Sequence, residues 1–210
     1  MSNFEKISEA IIAGKVEKVG ELAQGLVDEG VAPSEIIKEG LVGGMDVVGA
    51  RFKKNEMFVP EVLISAKAMH AGMDVVKPLL AEGESSSAGT VVIGTVEGDL
   101  HDIGKNLVAM MLKGAGFDVI DLGIDLPAEE FVEAVREHEP EVLGMSALLT
   151  TTMPAMQDVV ESLEEAGIRD EVKIMVGGAP VTEDFANEIG VDGYAPDGSI
   201  ATDLARDFMA

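Results

Sequence analysis

The hydrophobic period changes once along this chain, and that change constrains the fold more than any bulk property does. Up to about residue 81 the apolar side chains recur at helical spacing. Phe4, Ile7 and Ile11 form one run, and Val19, Leu22 and Leu26 a second. Ile37, Leu41, Met45 and Val48 form a third, and Val62, Ala66, Met69, Met73, Val76 and Leu80 a fourth. Ala13-Gly14, Glu29-Gly30 and Lys53-Lys-Asn-Glu56 separate them, and Pro33 and Pro60 suit first turns. Four helices with short connections predict a small antiparallel bundle over residues 1–81. Residues 82–88, Glu-Gly-Glu-Ser-Ser-Ser-Ala, are small and polar and read as a linker.

From residue 89 the pattern alternates between short apolar runs and helical segments. The runs are Val91–Gly94, Asp118–Leu122, Val142–Met145, Lys173–Val176 and a weak Gly193–Ala195. Helical segments lie near 104–115, 128–138, 153–166, 182–189 and 199–209. This predicts an α/β domain over 89–210, a five-stranded parallel sheet with helices on both faces. The flavodoxin-like strand order suits five strands. In such sheets ligands bind outside the carboxyl ends of the strands. Four loops are expected at that edge: Glu97–Gly104, Ser146–Met153, Gly177–Pro180 and Pro196–Ser199. They are rich in glycine, hydroxyl and small residues, which let backbone approach a ligand closely.

The first of these loops carries Asp99, His101 and Gly104 in Gly94-Thr-Val-Glu-Gly-Asp-Leu-His-Asp-Ile-Gly-Lys-Asn106. One histidine is too little for a protein-only zinc site, which takes three or four ligands. The chain has only two other histidines and no cysteine. One imidazole is enough when a macrocycle already supplies the equatorial ligands of its metal. Asp99-x-His101-x-x-Gly104 resembles the corrinoid-binding signature, in which the imidazole replaces the cofactor's own lower base on cobalt. Ser146-Ala-Leu148 after the third strand and Gly177-Gly178 after the fourth resemble the family's other two signatures. The chain is thus similar, over nearly its whole length, to the corrinoid proteins of anaerobic methyl-transfer systems. It is also similar to the cap and cobalamin module of methionine synthase.

That resemblance implies a cobalamin or other cobamide as cofactor, cycling between methylcobamide and Co(I) states. It gives His101 the cobalt and Asp99 the other imidazole nitrogen. Thr152 takes a relay position where methionine synthase has serine, and its extra methyl narrows its rotamers. Gly94, Thr95, Val96, Glu97 and Gly98, with Asp102, Ile103 and Gly104, would surround the ligating loop. Ser146, Leu148, Thr150, Gly177, Gly178 and Gly198 would hold the nucleotide tail. The cap's apolar positions correspond to Phe52, Phe58, Val59 and Val62, though Phe52 and Phe58 suit bundle core equally well. The resemblance also implies three partners: a substrate-specific methyltransferase, a second methyltransferase acting on a pterin or thiol, and a reductive activase. The protein would be a corrinoid subunit rather than a complete catalyst.

Composition closes other routes. There are 39 acidic and 15 basic residues, a net charge of −24, which repels nucleic acid and anionic membranes. No apolar run approaches the roughly 18 residues of a membrane helix. The N-terminus shows no secretory pattern, so a cytoplasmic protein is expected. Three other readings compete. A carbon-skeleton mutase subunit shares the histidine loop but generally lacks such a cap. A cobalamin-binding regulator would add a DNA-binding domain, for which the chain has neither room nor charge. A receiver-like domain needs a lysine late in the sheet, and Lys173 precedes its apolar run rather than following it.

Overall fold

The computed structural model describes residues 2–80 and 87–210, so most of the linker expected over 82–88 lies outside the described residues. The chain divides into two compact units. One comprises the helical region up to Ser87 with Lys113–Gly116, and the other Ala88–Leu112 with Phe117–Ala210.

The helical unit begins with α1 (Asn3–Ile12) and α2 (Val16–Asp28). Ser2 caps α1, its hydroxyl accepting from Glu5 N while Glu5 accepts from Ser2 N. Next comes a continuous helical run: α3 (Pro33–Glu35), a π-helical stretch (Ile36–Val42) and α4 (Gly43–Lys53). The last helix is α5 (Val59–Val76). Apolar spacing foretells the third run but not its π stretch. Two glycines explain why α1 can lie against it. A methyl group at Gly44 would sit 3.1 Å from Ile11 and from Ser8 Cα, and one at Gly40 would sit 3.4 Å from Ile7. Ser8 Oγ donates to the Gly40 carbonyl at 3.1 Å, giving that carbonyl a partner outside the helix. Ile7, Ile11, Ile36, Leu41 and Val48 are fully buried in this unit.

The second unit alternates strand and helix: β1 (Thr90–Val96), α6 (Ile103–Gly114), β2 (Asp118–Leu126), α7 (Ala128–His138), β3 (Val142–Ser146), α8 (Pro154–Glu165), β4 (Lys173–Gly177), α9 (Glu183–Glu188), β5 (Gly193–Tyr194) and α10 (Gly198–Phe208). All pairs are parallel, in the order β2-β1-β3-β4-β5, the flavodoxin-like order expected. β1 is central, and every residue from Val91 to Val96 is buried, as a strand covered on both sides must be.

Alternation along the strands sorts their side chains between the two faces. Val92, Val96, Leu143, Met145, Ile174 and Val176 join one cluster with Phe131 of α7 and Val159 of α8. Gly94 belongs to this face. A methyl there would fall 2.5 Å from Leu126 and 2.8 Å from Phe131, so the Phe131 ring lies directly on the strand. On the other face Ile93 and Met175 meet over Gly144, and α6 and α10 approach each other where Gly198 faces Met111. β2 runs four residues beyond the stretch its apolar pattern marked. Its pairing with β1 slips twice, from Ile93↔Asp121 to Gly94↔Gly123 to Val96↔Leu126, and these irregularities hide the tail from pattern reading.

Candidate functional site

The loop after β1 turns at once. Asp99 N donates to Val96 O at 3.1 Å and Gly98 has φ +78°, the pattern of a type II turn with glycine at its third position. The turn drops Asp99 beneath the loop, fully buried, and leaves the His101 side chain 49% exposed above it.

Asp99 is the centre of the network. Its Oδ1 accepts from His101 N at 3.0 Å and pairs with His101 Nδ1 at 2.7 Å. Its Oδ2 accepts from Leu148 N at 2.7 Å, Leu149 N at 3.3 Å and Thr152 Oγ1 at 2.7 Å. Thr152 Oγ1 also lies 2.9 Å from Leu149 O, so its single proton has two acceptors to choose between. Burial alone would raise the Asp99 pKa. The hydrogen bonds from Thr152, Leu148 and His101 outweigh it and hold the carboxyl well below the usual carboxylate range. An anionic Asp99 assigns the imidazole proton to Nδ1. The lone pair then sits on Nε2, which has no hydrogen bond among the described residues.

Thr95, fully buried at the end of β1, donates to His101 O at 3.1 Å and fixes the histidine backbone from below. Asp102 precedes α6, and its carboxylate accepts from Asn106 Nδ2 at 3.0 Å. Ile103 is 84% exposed beside the histidine, with Leu100 and Leu148 also exposed. Glu97 and Gly104 are exposed, and a methyl at Gly104 would meet open space. Val96 and Gly94 are buried toward Phe131 and offer a ligand no side-chain surface.

The other loops arrive by backbone contact. A methyl at Gly178, where φ is +128°, would lie 1.8 Å from Ala147 O, and one at Gly177 would lie 2.6 Å from Ala195 O. Both glycines thus let the β4 loop touch the loops after β3 and β5. Gly198 is buried at the start of α10, behind the Asp197 cap. Ser146 is half-buried at the end of β3 and Thr150 is exposed, and neither joins the Asp99 network. In the helical unit Val62 is fully buried and Phe52 half-buried. Phe58 and Val59 are exposed, Phe58 at 65%, so Phe58 is not bundle core.

Two features escaped the sequence reading. Lys105 is 3% exposed, and its Nζ lies 2.5 and 2.6 Å from the Asp121 carboxylate and 2.8 Å from Asn106 Oδ1. Asp125, at the end of β2, accepts from Gly98 N at 2.7 Å through Oδ1 and donates from its own N to Asp99 O at 3.1 Å. The only available signal was the acidic Asp121-x-x-x-Asp125 pair beside Gly123.

Among the described residues no three His, Asp and Glu side chains gather into a metal cage. What the loop offers is one imidazole, oriented by a buried anion, with exposed apolar side chains beside it. That donor set suits a metal whose other ligands come from an organic ring. The fold and the site together define a flavodoxin-like α/β module that presents a single anion-oriented imidazole at the carboxyl edge of its sheet.

Comparison with known proteins supplies the particular family. Residues 89–202 match the B12 binding domain, and residues 4–77 match a second family also described as a B12 binding domain. The chain belongs to the B12-binding family, and a cobalamin or related cobamide is its cofactor. It is 48% identical over 207 residues to trimethylamine corrinoid protein 1 of Methanosarcina acetivorans, covering 98% of this chain and 94% of that protein. Dimethylamine corrinoid protein 1 of the same organism is 45% identical, covering 99% and 97%. The methanol:cobalamin methyltransferase complex of Methanosarcina barkeri aligns with a TM-score of 0.89 at 36% identity, over 99% of this chain and 79% of that one. No helix among the described residues is long and apolar enough to cross a membrane.

Proposed function

We propose that this protein is a methyl carrier, holding a cobamide in the base-off form with His101 as lower ligand. The observation that carries the reading is the Asp99–His101 pair, a buried anion 2.7 Å from Nδ1 that leaves Nε2 as the free donor. A corrinoid bound there would supply a cobalt able to accept and release a methyl group. The chain's part is to bind, orient and hold a proton. Asp99 keeps the ring in one tautomer and raises the basicity of Nε2. Asp99 would be the group that shares the imidazole's proton, through Nδ1. Thr152, Leu148 and Leu149 keep that carboxylate ionised.

The proposal extends to Ser146, Leu148, Thr150, Gly177, Gly178 and Gly198 as the nucleotide-tail loops. It takes residues 1–81 as a cap, with Phe52, Phe58 and Val59 as its cofactor-facing positions and Val62, which is fully buried, as bundle core instead, and 82–88 as the linker. The partners are a substrate-specific methyltransferase, as in the methanol system complex of the relative, a second methyltransferase to a pterin or thiol, and a reductive activase.

The test is methyl uptake and return. The whole chain is loaded with cobalamin, reduced to Co(I) and offered methyl iodide, then a thiol with a corrinoid:thiol methyltransferase. The proposal expects a methylated, light-sensitive product that is consumed when thiol and enzyme are added. A protein that retains adenosylcobalamin and exchanges no methyl would be a mutase subunit instead.

A further inference from the structure

Asp125 is placed by an irregular route. Between Ile93 and Val96 β1 advances three residues while its partner β2 advances five, from Asp121 to Leu126. One extra residue falls before Gly123, whose φ is +101°, and the other between Gly123 and Leu126, where Asp125 takes a left-handed φ of +57°. Bulges beside functional sites re-aim side chains, and Asp and Asn are the residues other than glycine that tolerate this conformation best. The result is a double contact with the turn below the histidine. Asp125 Oδ1 accepts from Gly98 N at 2.7 Å, and Asp125 N donates to Asp99 O at 3.1 Å.

The two bonds answer a need of the turn itself. In a type II turn the central peptide is flipped, so the N–H of the third residue points away from the turn's own acceptor. Here that N–H is Gly98 N, and the Asp125 carboxylate meets it. The bond to Asp99 O then fixes the residue whose side chain holds the imidazole.

We propose that Asp125 is a positioning residue for His101, acting through the Gly98–Asp99 segment that it clamps from β2. The inference rests on His101 as the cobalt ligand. Asp125 reaches neither His101 nor Nε2, and its effect passes through the direction in which Asp99 presents Oδ1. Removing its carboxylate frees the turn to rotate, and the ratio of ligated to unligated imidazole falls. A hydrogen bond between a backbone N–H and a charged acceptor corresponds to about a tenfold change in that ratio.

Two variants separate acceptor from backbone strain. Asp125→Gly keeps the left-handed conformation and the N–H bond to Asp99 O but loses the acceptor. Asp125→Asn keeps an acceptor oxygen and tolerates the same φ. Full-length protein labelled with 15N-histidine is loaded with cob(II)alamin and measured by electron paramagnetic resonance. A 15N imidazole on cobalt splits each line into a doublet, whereas the cofactor's own 14N base gives a triplet. The expected result is a strong doublet in wild type and Asp125→Asn, and about a tenfold weaker one in Asp125→Gly. An undiminished doublet in Asp125→Gly overturns the inference, as does equal loss in both variants.

No doublet in wild type overturns the cobalt-ligand reading itself, and the inference with it. If Asp125→Gly takes up no cofactor, the ring nitrogen resonances of the unloaded protein decide. The inference expects one Nδ1-protonated tautomer in wild type and Asp125→Asn and a tautomer mixture in Asp125→Gly. A single tautomer in all three overturns it.

Discussion

Replacing Asp99 by Asn tests the network at its centre, because the side chain keeps its shape and loses one acceptor and its charge. Oδ1 faces two His101 donors, and Oδ2 faces Leu148 N, Leu149 N and Thr152. An amide nitrogen must point one way or the other. Pointed at Leu148 and Leu149, it confronts two N–H groups. Pointed at His101, it confronts His101 N–H, and the ring answers by moving its proton from Nδ1 to Nε2. Either orientation leaves a backbone donor without its partner at a fully buried residue. Such a loss costs about 1–3 kcal/mol. For a chain of this length each kcal/mol lowers the melting temperature by about 2–4 °C. The second orientation also removes the Nε2 lone pair, and loss of a partner of this kind typically costs 10–100-fold in metal affinity, by order of magnitude. Thermal melts of the unloaded protein measure the first effect. Titration with hydroxocobalamin, followed by absorption, measures the second. An Asp99→Asn protein with wild-type melting temperature and wild-type affinity would refute the reasoning.

Other substitutions probe the frame around the site. Gly178→Ala puts a methyl 1.8 Å from Ala147 O at φ +128°, so the β4 loop must move; we expect loss of soluble folded protein or a cost beyond about 3 kcal/mol by denaturant titration. Lys105→Met strands Asp121, but that carboxylate is 32% exposed and can hydrate. We therefore expect about 1–3 kcal/mol, below the cost for a fully buried pair, with part recovered in the Lys105→Met/Asp121→Leu double variant. Asp192 anchors the start of β5. Burial would raise its pKa, but donors at Ile174 N, Lys173 and Arg169 lower it on balance. Its contribution is therefore fully present above the unfolded carboxylate value, roughly pH 4, and is lost as pH falls through the lower folded value. The stability gap between wild type and Asp192→Asn, measured by urea unfolding, should be constant near neutrality and close below that pH.

Much of the α/β unit was legible because buried parallel strands read as short apolar runs between amphipathic helices. β1, β3 and β4 are of this kind. The tail of β2 was not, because Gly123-Ile-Asp-Leu126 has no alternation and is held as strand only by slipped pairing with β1. The π stretch was equally hidden, since its apolar residues keep helical spacing and only its fit to α1 distinguishes it. At the site, the resemblance to the corrinoid-binding signature singled out Asp99 and His101, and the likeness to methionine synthase added Thr152; the structure joins the three by hydrogen bonds through the Asp99 carboxylate. The donors at Leu148 N and Leu149 N were not, because a backbone N–H leaves no mark on residue identity. Asp125 was missed for a related reason. Its side-chain partner, Gly98, lies 27 residues away in sequence, brought close only by the sheet. Gly177-Gly178 was visible as a motif, but the structure gives it a further reason, the approach of Ala147 O and Ala195 O.

The central claim is that one imidazole completes the coordination of cobalt, and aquocobinamide tests it most directly because that corrinoid carries no base of its own. Absorption spectra are recorded with wild-type protein and with His101→Ala. The account predicts a nitrogen-ligated spectrum for wild type and an unchanged free-cobinamide spectrum for the variant. The same spectral shift in both proteins, or none in wild type, would contradict it.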